Sequence, residues 1–196
     1  MPNSEINSFT RENKTLWKQK LEETKAKVSD EILYKGKRIP QKGDPPSDFS
    51  TLLGSDEYYL ARKRDFELRH PEEQAPKYYE VYGNKYLHKF KYDTKYSLSS
   101  EGQKWLEKTL VNLQRSMEFA IQKTNGEIEN DPNEFQDFAY KTHPKAYIDA
   151  GLFDLPISDL IKIGTTPDFA DLLTPSGLEQ IIRVGREFVK QRVLKK

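Results

Sequence analysis

Residues 98–126, LSSEGQKWLEKTLVNLQRSMEFAIQKTNG, decide how the rest of the chain is read. Leu106, Leu110, Leu113, Met117 and Ile121 recur every three or four residues, so a helix would gather them on one face, with Trp105 flanking it. Ser99 stands where a side-chain oxygen can cap the first turn. Asn125-Gly126 closes the run, glycine being free to take the left-handed conformation that ends helices. The stretch predicts a long helix over about 100–124 with one buried face.

Downstream the punctuation continues. Asp131-Pro132-x-Glu134 reads as an N-cap, a proline at the first helical position and a capping-box glutamate. Phe135, Phe138 and Ala139 then face inward, and His143-Pro144 is expected to break the helix. A helix of one or two turns follows through Tyr147 and Ala150, stopped by Gly151, and another over 156–163, stopped by Gly164. Thr166-Pro167-Asp168 and Thr174-Pro175 each start a further helix. The last runs from 175 to about 194 and buries Leu178, Ile181, Ile182, Phe188 and Val189. Residues 98–196 thus read as a compact all-α domain of several short helices.

Residues 1–97 look different. A helix over 10–29, capped by Thr10, carries only Leu16, Trp17, Leu21 and Val28 as apolar positions, a stripe too thin to stand without a surface to lie on. Pro40, Gly43, Pro45, Pro46 and Gly54 mark residues 30–54 as a linker. A helix is expected from Ser55 to Arg69, carrying Tyr58, Tyr59, Phe66 and Leu68 and ending at His70-Pro71. In residues 76–96, Tyr78, Tyr82, Tyr86 and Phe90 repeat every four residues between Lys77, Lys85, Lys89, Lys91 and Lys95. Residues 78–90 fit a helix in spite of Gly83, while 90–97 also fit a short strand. Residues 1–97 are therefore expected to form an extended, partly helical arm that borrows the surface of a neighbour.

Composition narrows the function classes. The 196 residues include 32 basic and 31 acidic side chains, net +1, which supplies no long-range field for a polyanion. The two halves differ little in charge, with 19 basic and 16 acidic residues in 1–97 against 13 and 15 in 98–196. Cysteine is absent, so neither a disulfide framework nor a thiol nucleophile is available. The N-terminus lacks the basic and apolar regions of a signal peptide, and no apolar run approaches the roughly 20 residues that span a bilayer. Both points favour the cytoplasm and no membrane partner.

No motif identifies an enzyme. Phosphate-binding glycine loops and a G-x-S-x-G elbow are missing. His70, His88 and His143 have no metal-ligand spacing, and helix-end packing accounts for them, so no metal or other cofactor is expected. Two carboxylates suffice for glycoside hydrolysis, and Glu118, on or near the apolar face of the long helix, could pair with Asp149, Asp154 or Asp159. Capping already explains acidic residues at helix starts. The tyrosine–lysine run 77–96 could stack bases and track phosphates, but near-neutral charge and the lack of an arginine cluster disfavour nucleic acid. Aromatic anchors with a lysine rim also describe a protein-binding surface.

The run from His143 through Leu152, with Thr166-Pro167-Asp168 and Thr174-Pro175-Ser176-Gly177-Leu178, resembles a segment of small accessory proteins of contractile, phage-tail-like injection systems. Residues 98–106 resemble the same group, and the similarity extends over 76–183. It carries no catalytic motif. What it implies is a small non-enzymatic cap, adaptor or baseplate part. The leading expectation is therefore a structural adaptor in a larger assembly, bound to other protein subunits and conceivable as a homo-oligomer within it. Its partner-binding anchors are expected at Trp17, Tyr58, Tyr59, Tyr78, Tyr82, Tyr86 and Phe90. A cell-wall hydrolase using Glu118 and a nucleic-acid module using 77–96 are the alternatives.

Overall fold

The long helix forms as the apolar spacing requires, and in a computed structural model that describes residues 3–165 and Glu179 it is the spine of the molecule. In chain order the helices are α1 (Asn3–Lys27), α2 (Asp30–Leu33), α3 (Tyr58–Arg69), α4 (Lys85–Tyr92), α5 (Ser100–Lys123), α6 (Pro132–Asp149) and α7 (Ile157–Thr165). A π-helical stretch, Tyr78–Asn84, leads into α4, and short 3-10 turns fill several connections. No strand occurs among the described residues, so the protein is all-α. None of the described helices is long and apolar enough to cross a membrane.

The caps explain the boundaries. Ser99 accepts the Gly102 N–H at the start of α5, and Asp131 accepts Asn133 and Glu134 at the start of α6. At the end of α5, Asn125 and Gly126 both take positive φ, and the Gly126 N–H returns to the Ile121 carbonyl. Asp159, buried in α7, accepts the backbone N–H and hydroxyl of Ser99, so α7 completes the N-terminus of α5.

Several boundaries differ from the sequence reading. Pro144 does not break α6, which runs on to Asp149. His143, Pro144, Ala146 and Tyr147 are all buried, and that packing outweighs the one backbone hydrogen bond a proline forgoes. Gly164 lies inside α7 rather than after it, α1 begins before Thr10, and Ser29 caps α2. Residues 90–97 continue α4 and then turn in a 3-10 helix instead of forming a strand. The helices expected after 166 lie outside the described residues.

The largest correction concerns the arm. Tyr34, Phe49, Tyr58, Tyr59, Tyr78, Tyr79, Tyr86, Leu87 and Phe90 belong to the same hydrophobic core as Trp105, Leu106, Leu113, Ile121, Phe135 and Tyr147. Residues 34–97 are therefore not an extended arm beside a folded domain but part of the body, packed against α5 and α6. α4 lies between α5 and α1, and the π-helical stretch packs on α3 and α6. The physical reason is that tyrosine, counted as a polar-tipped residue when the sequence is read, here buries its whole ring.

The wide π turn has a local cause. A Cβ built on Gly83 would lie 2.6 Å from two ring carbons of buried Tyr59. Gly83→Ala would gain about 1 kcal/mol of helix propensity. Forcing that ring from its packed position costs about 1–3 kcal/mol, so the net effect is expected to be destabilising. A thermal melt of G83A checks this, and a raised midpoint would contradict the close approach.

Candidate binding groove and the ionic network beneath it

The proline-marked segment expected to be a linker is fixed by buried charges. The Ser47 N–H donates to Asp65, and the Phe49 N–H donates to Glu118 Oε1 at 2.9 Å. The Gly54 N–H reaches Gln114 Oε1 at 2.6 Å. Arg62 donates through Nη2 to the Ser47 carbonyl, and its guanidinium lies 4.2 Å from the centroid of the Phe49 ring. Backbone groups of a loop that would otherwise seek water are thus taken by side chains of α3 and α5.

The donors and acceptors form two connected clusters. In one, Glu118 accepts from Phe49, Gln122 and the Tyr58 hydroxyl, while Arg62 Nε stands 3.5 Å from its second oxygen. Burial, reinforced by the Glu118 carboxylate beside it, holds the Tyr58 hydroxyl protonated far above its ordinary range. In the other, Arg69 bridges Asp65 at 2.8 Å and Glu129 at 2.7 Å, Tyr34 donates to Asp65, and Tyr79 donates to Glu129 at 2.6 Å. Arg62, Asp65, Arg69, Glu118 and Glu129 are all buried. Nε and Nη1 of Arg62 have no hydrogen-bond partner among the described residues. Such an arrangement survives only because both signs of charge are present together.

On the outer side of this loop lies a groove of about 520 Å³. Val28, Ile32, Leu33, Tyr34, Phe49 and Leu52 give it apolar walls, and Lys27, Lys37, Arg38, Asp48 and Glu57 supply its charges. Each wall is anchored. Arg64 makes two hydrogen bonds to Asp30 at 2.6 and 2.7 Å, which ties α2 to α3 and holds the Asp30 carboxyl below its usual range. Tyr34 is tied to Asp65, and Phe49 is tied to Glu118. Neither Lys27 nor Lys37 pairs with a carboxylate among the described residues. None of these groove residues except Val28 drew notice in the sequence, because the apolar ones are scattered through a segment whose prolines and glycines signal a linker.

The anchors predicted from sequence have other employment. Tyr58 and Tyr59 meet edge to face at 5.2 Å inside the core. Tyr78 packs on Phe135 and Tyr82, and its hydroxyl lies 3.4 Å from His143 Nε2. Tyr86 and Phe90 are buried together at 5.7 Å. Tyr82 is half-buried between Tyr78 and Tyr140. Of the rings of 76–96, Tyr78, Tyr79, Tyr86 and Phe90 turn inward and Tyr96 alone is exposed. Lys91 and Lys95 are ion-paired to Asp56 and Glu107, so the four-residue ladder expected to stack bases is not on the surface.

Trp17 stands apart. It is half-buried on α1, with the Lys18 ammonium 5.7 Å from the ring centroid. α1 is docked further along. Thr24 is buried against His88, with Oγ1 3.0 Å from Nε2, and Lys25 pairs with Glu80. The Asn84 carbonyl can only accept, so His88 Nδ1, 2.9 Å away, carries the proton. Burial holds the His88 imidazole below its usual range, which keeps it neutral at this joint.

Glu118 is buried and lines neither the groove nor the small cavity beside Tyr78. Asp159 is at the opposite end of α5, on Ser99, about 28 Å of helix rise away, and Asp149 pairs with Lys145 on the surface. The structure therefore does not bring Glu118 and Asp159 together as an acid–base pair. Among the described residues no cluster of three His, Asp or Glu side chains could hold a metal ion. No protein-family model, no curated protein and no solved structure matches the chain.

Proposed function

We propose that the protein is a non-enzymatic adaptor of a larger protein assembly, which offers the outer part of α1 to a neighbouring subunit with Trp17 as the anchor. The observation that carries this reading is the placement of Trp17. Five of the seven expected anchors are buried, Tyr82 is half-buried between rings of the core, and Trp17, also half-buried, lies outside that core on a helix of 25 residues. Among the described side chains of that helix, Thr24 and Lys25 near its C-terminal end are docked on His88 and Glu80. Tryptophan at such a position is the residue type that most often dominates interface energy. The arm of the sequence reading thus contracts from 97 residues to one helix. A contractile, phage-tail-like particle is the setting supported by the resemblance of residues 98–106 and 143–178.

The alternatives have less support. A hydrolase would need Glu118 accessible to a substrate, and its oxygens are committed to Phe49, Tyr58, Gln122 and Arg62. A nucleic-acid module would need exposed rings between its lysines.

The test is affinity capture from the native host with mass spectrometry, comparing wild type with Trp17→Ala. Loss of an anchor worth about 2 kcal/mol should reduce recovery of the bound subunit roughly 30-fold while the melting temperature stays put. Equal recovery of the same subunit by both proteins would remove α1 as the interface.

A further inference from the structure

The groove beside α2 has the attributes of a ligand site and not of a packing fault. Its volume, about 520 Å³, falls in the range of small-molecule pockets. Its walls are preorganised. Asp30–Arg64 and Tyr34–Asp65 hold one side, and Phe49–Glu118 with Arg62 holds the other. An occupant would therefore have little ordering cost to meet on the protein's side. Ile32 stands 62% exposed at this site and Leu33 and Leu52 are half-exposed, so apolar surface is left uncovered there.

The charges select among apolar occupants. Arg38 is engaged by Asp44. Hydrogen bonds from Ser50 hold Asp48 below its ordinary range. Glu57 stands at the N-terminus of α3, where the helix dipole offsets a negative charge. Lys27 and Lys37, both exposed, are the groove cations that make no direct salt bridge among the described residues, though the Lys37 charge also acts on Asp48 and the Lys27 charge on Glu23.

We propose that this groove binds a small amphipathic anion, an aliphatic or aromatic body carrying a single carboxylate or sulfonate, with the body against Val28, Leu33, Phe49 and Leu52 and the head at Lys27 and Lys37. The site is separate from Trp17, which lies ten residues back along α1, and neither reading depends on the other.

Anilinonaphthalene sulfonate is the direct probe, having an apolar body and one anionic head. It is titrated into the full folded chain, then displaced with decanoate, decanol and decyltrimethylammonium below their micellar concentrations, with a thermal melt run on each mixture. Decanoate is expected to displace the dye and raise the melting temperature, at least tenfold more tightly than the ammonium. That preference should shrink as salt is raised. The double variant Lys27→Gln/Lys37→Gln changes only exposed side chains, so it should fold. It is expected to bring decanoate down to the level of decanol. Leu52→Trp, which fills the groove, is expected to abolish all displacement. The proposal is overturned if decanoate fails to compete, if the three head groups bind alike, or if the double variant keeps the anion preference. Preference for the neutral or the cationic probe overturns it equally.

Discussion

Phe135→Ala is expected to destabilise the protein by about 3–5 kcal/mol, with a single unfolding transition moving to lower denaturant. Phe135 has no solvent exposure and receives the edges or faces of two rings, Tyr78 at 5.9 Å and Tyr79 at 5.1 Å. Truncation removes the transfer energy of the ring and leaves a void flanked by tyrosines whose hydroxyls are anchored at His143 and Glu129, which limits collapse into the space. The decisive readout is hydrogen exchange. Phe135 is in α6, yet its contacts are in the π-helical stretch, so protection should fall in α3 and α4 together with α5 and α6. If only α5 and α6 lost protection, residues 34–97 and the later helices would be separate folding units and the shared core would be wrong.

Glu118→Ala is expected to cost a similar amount, about 3–5 kcal/mol, because it strands Arg62 without its buried counter-charge. It also orphans the Phe49 N–H and the Tyr58 hydroxyl. The double variant Arg62→Met/Glu118→Leu should recover much of the loss, since replacing a whole buried pair is far less costly than breaking it. Chemical denaturation of the three proteins measures both effects. Limited proteolysis should place the first new cleavage of Glu118→Ala within 41–54, the segment that Glu118 holds. A loss below about 1 kcal/mol for the single variant would mean that the carboxylate does not secure the loop.

Between residues 98 and 135 the helices were legible, because caps, apolar spacing and stop signals coincide there. Ser99, Asp131, Gly126 and Gly151 perform the roles their types suggest. The misreadings share a cause. Tyr58, Tyr59 and Tyr78 read as interface anchors because large rings suit interfaces as well as cores, and a sequence does not reveal that Glu118 takes the Tyr58 hydroxyl inside the core. The loop 41–54 reads as a linker because its prolines and glycines are local signals, whereas the groups that pin it, Asp65, Gln114 and Glu118, lie between 18 and 69 residues away. Pro144 was misjudged because backbone rules are visible in sequence and burial is not. Of the candidate groove only Val28 had been noted, and then as part of a helix stripe. Of the candidate anchors, Trp17 and Tyr82 are partly buried and the other five are buried, and only Trp17 lies outside the shared aromatic core.

The dependence of early tyrosines on late partners has a consequence for the protein's birth. Translation proceeds from the N-terminus at about 5–20 residues per second. Tyr78 and Tyr79 leave the ribosome well before Phe135, and Trp105 must await Tyr147, whose carbonyl accepts its indole N–H. The N-terminus of α5 stays incomplete until Asp159 has been made. For several seconds of synthesis a nascent chain therefore carries a band of unsheathed aromatic rings, and its safe passage through that interval falls to chaperones or to the ribosome surface.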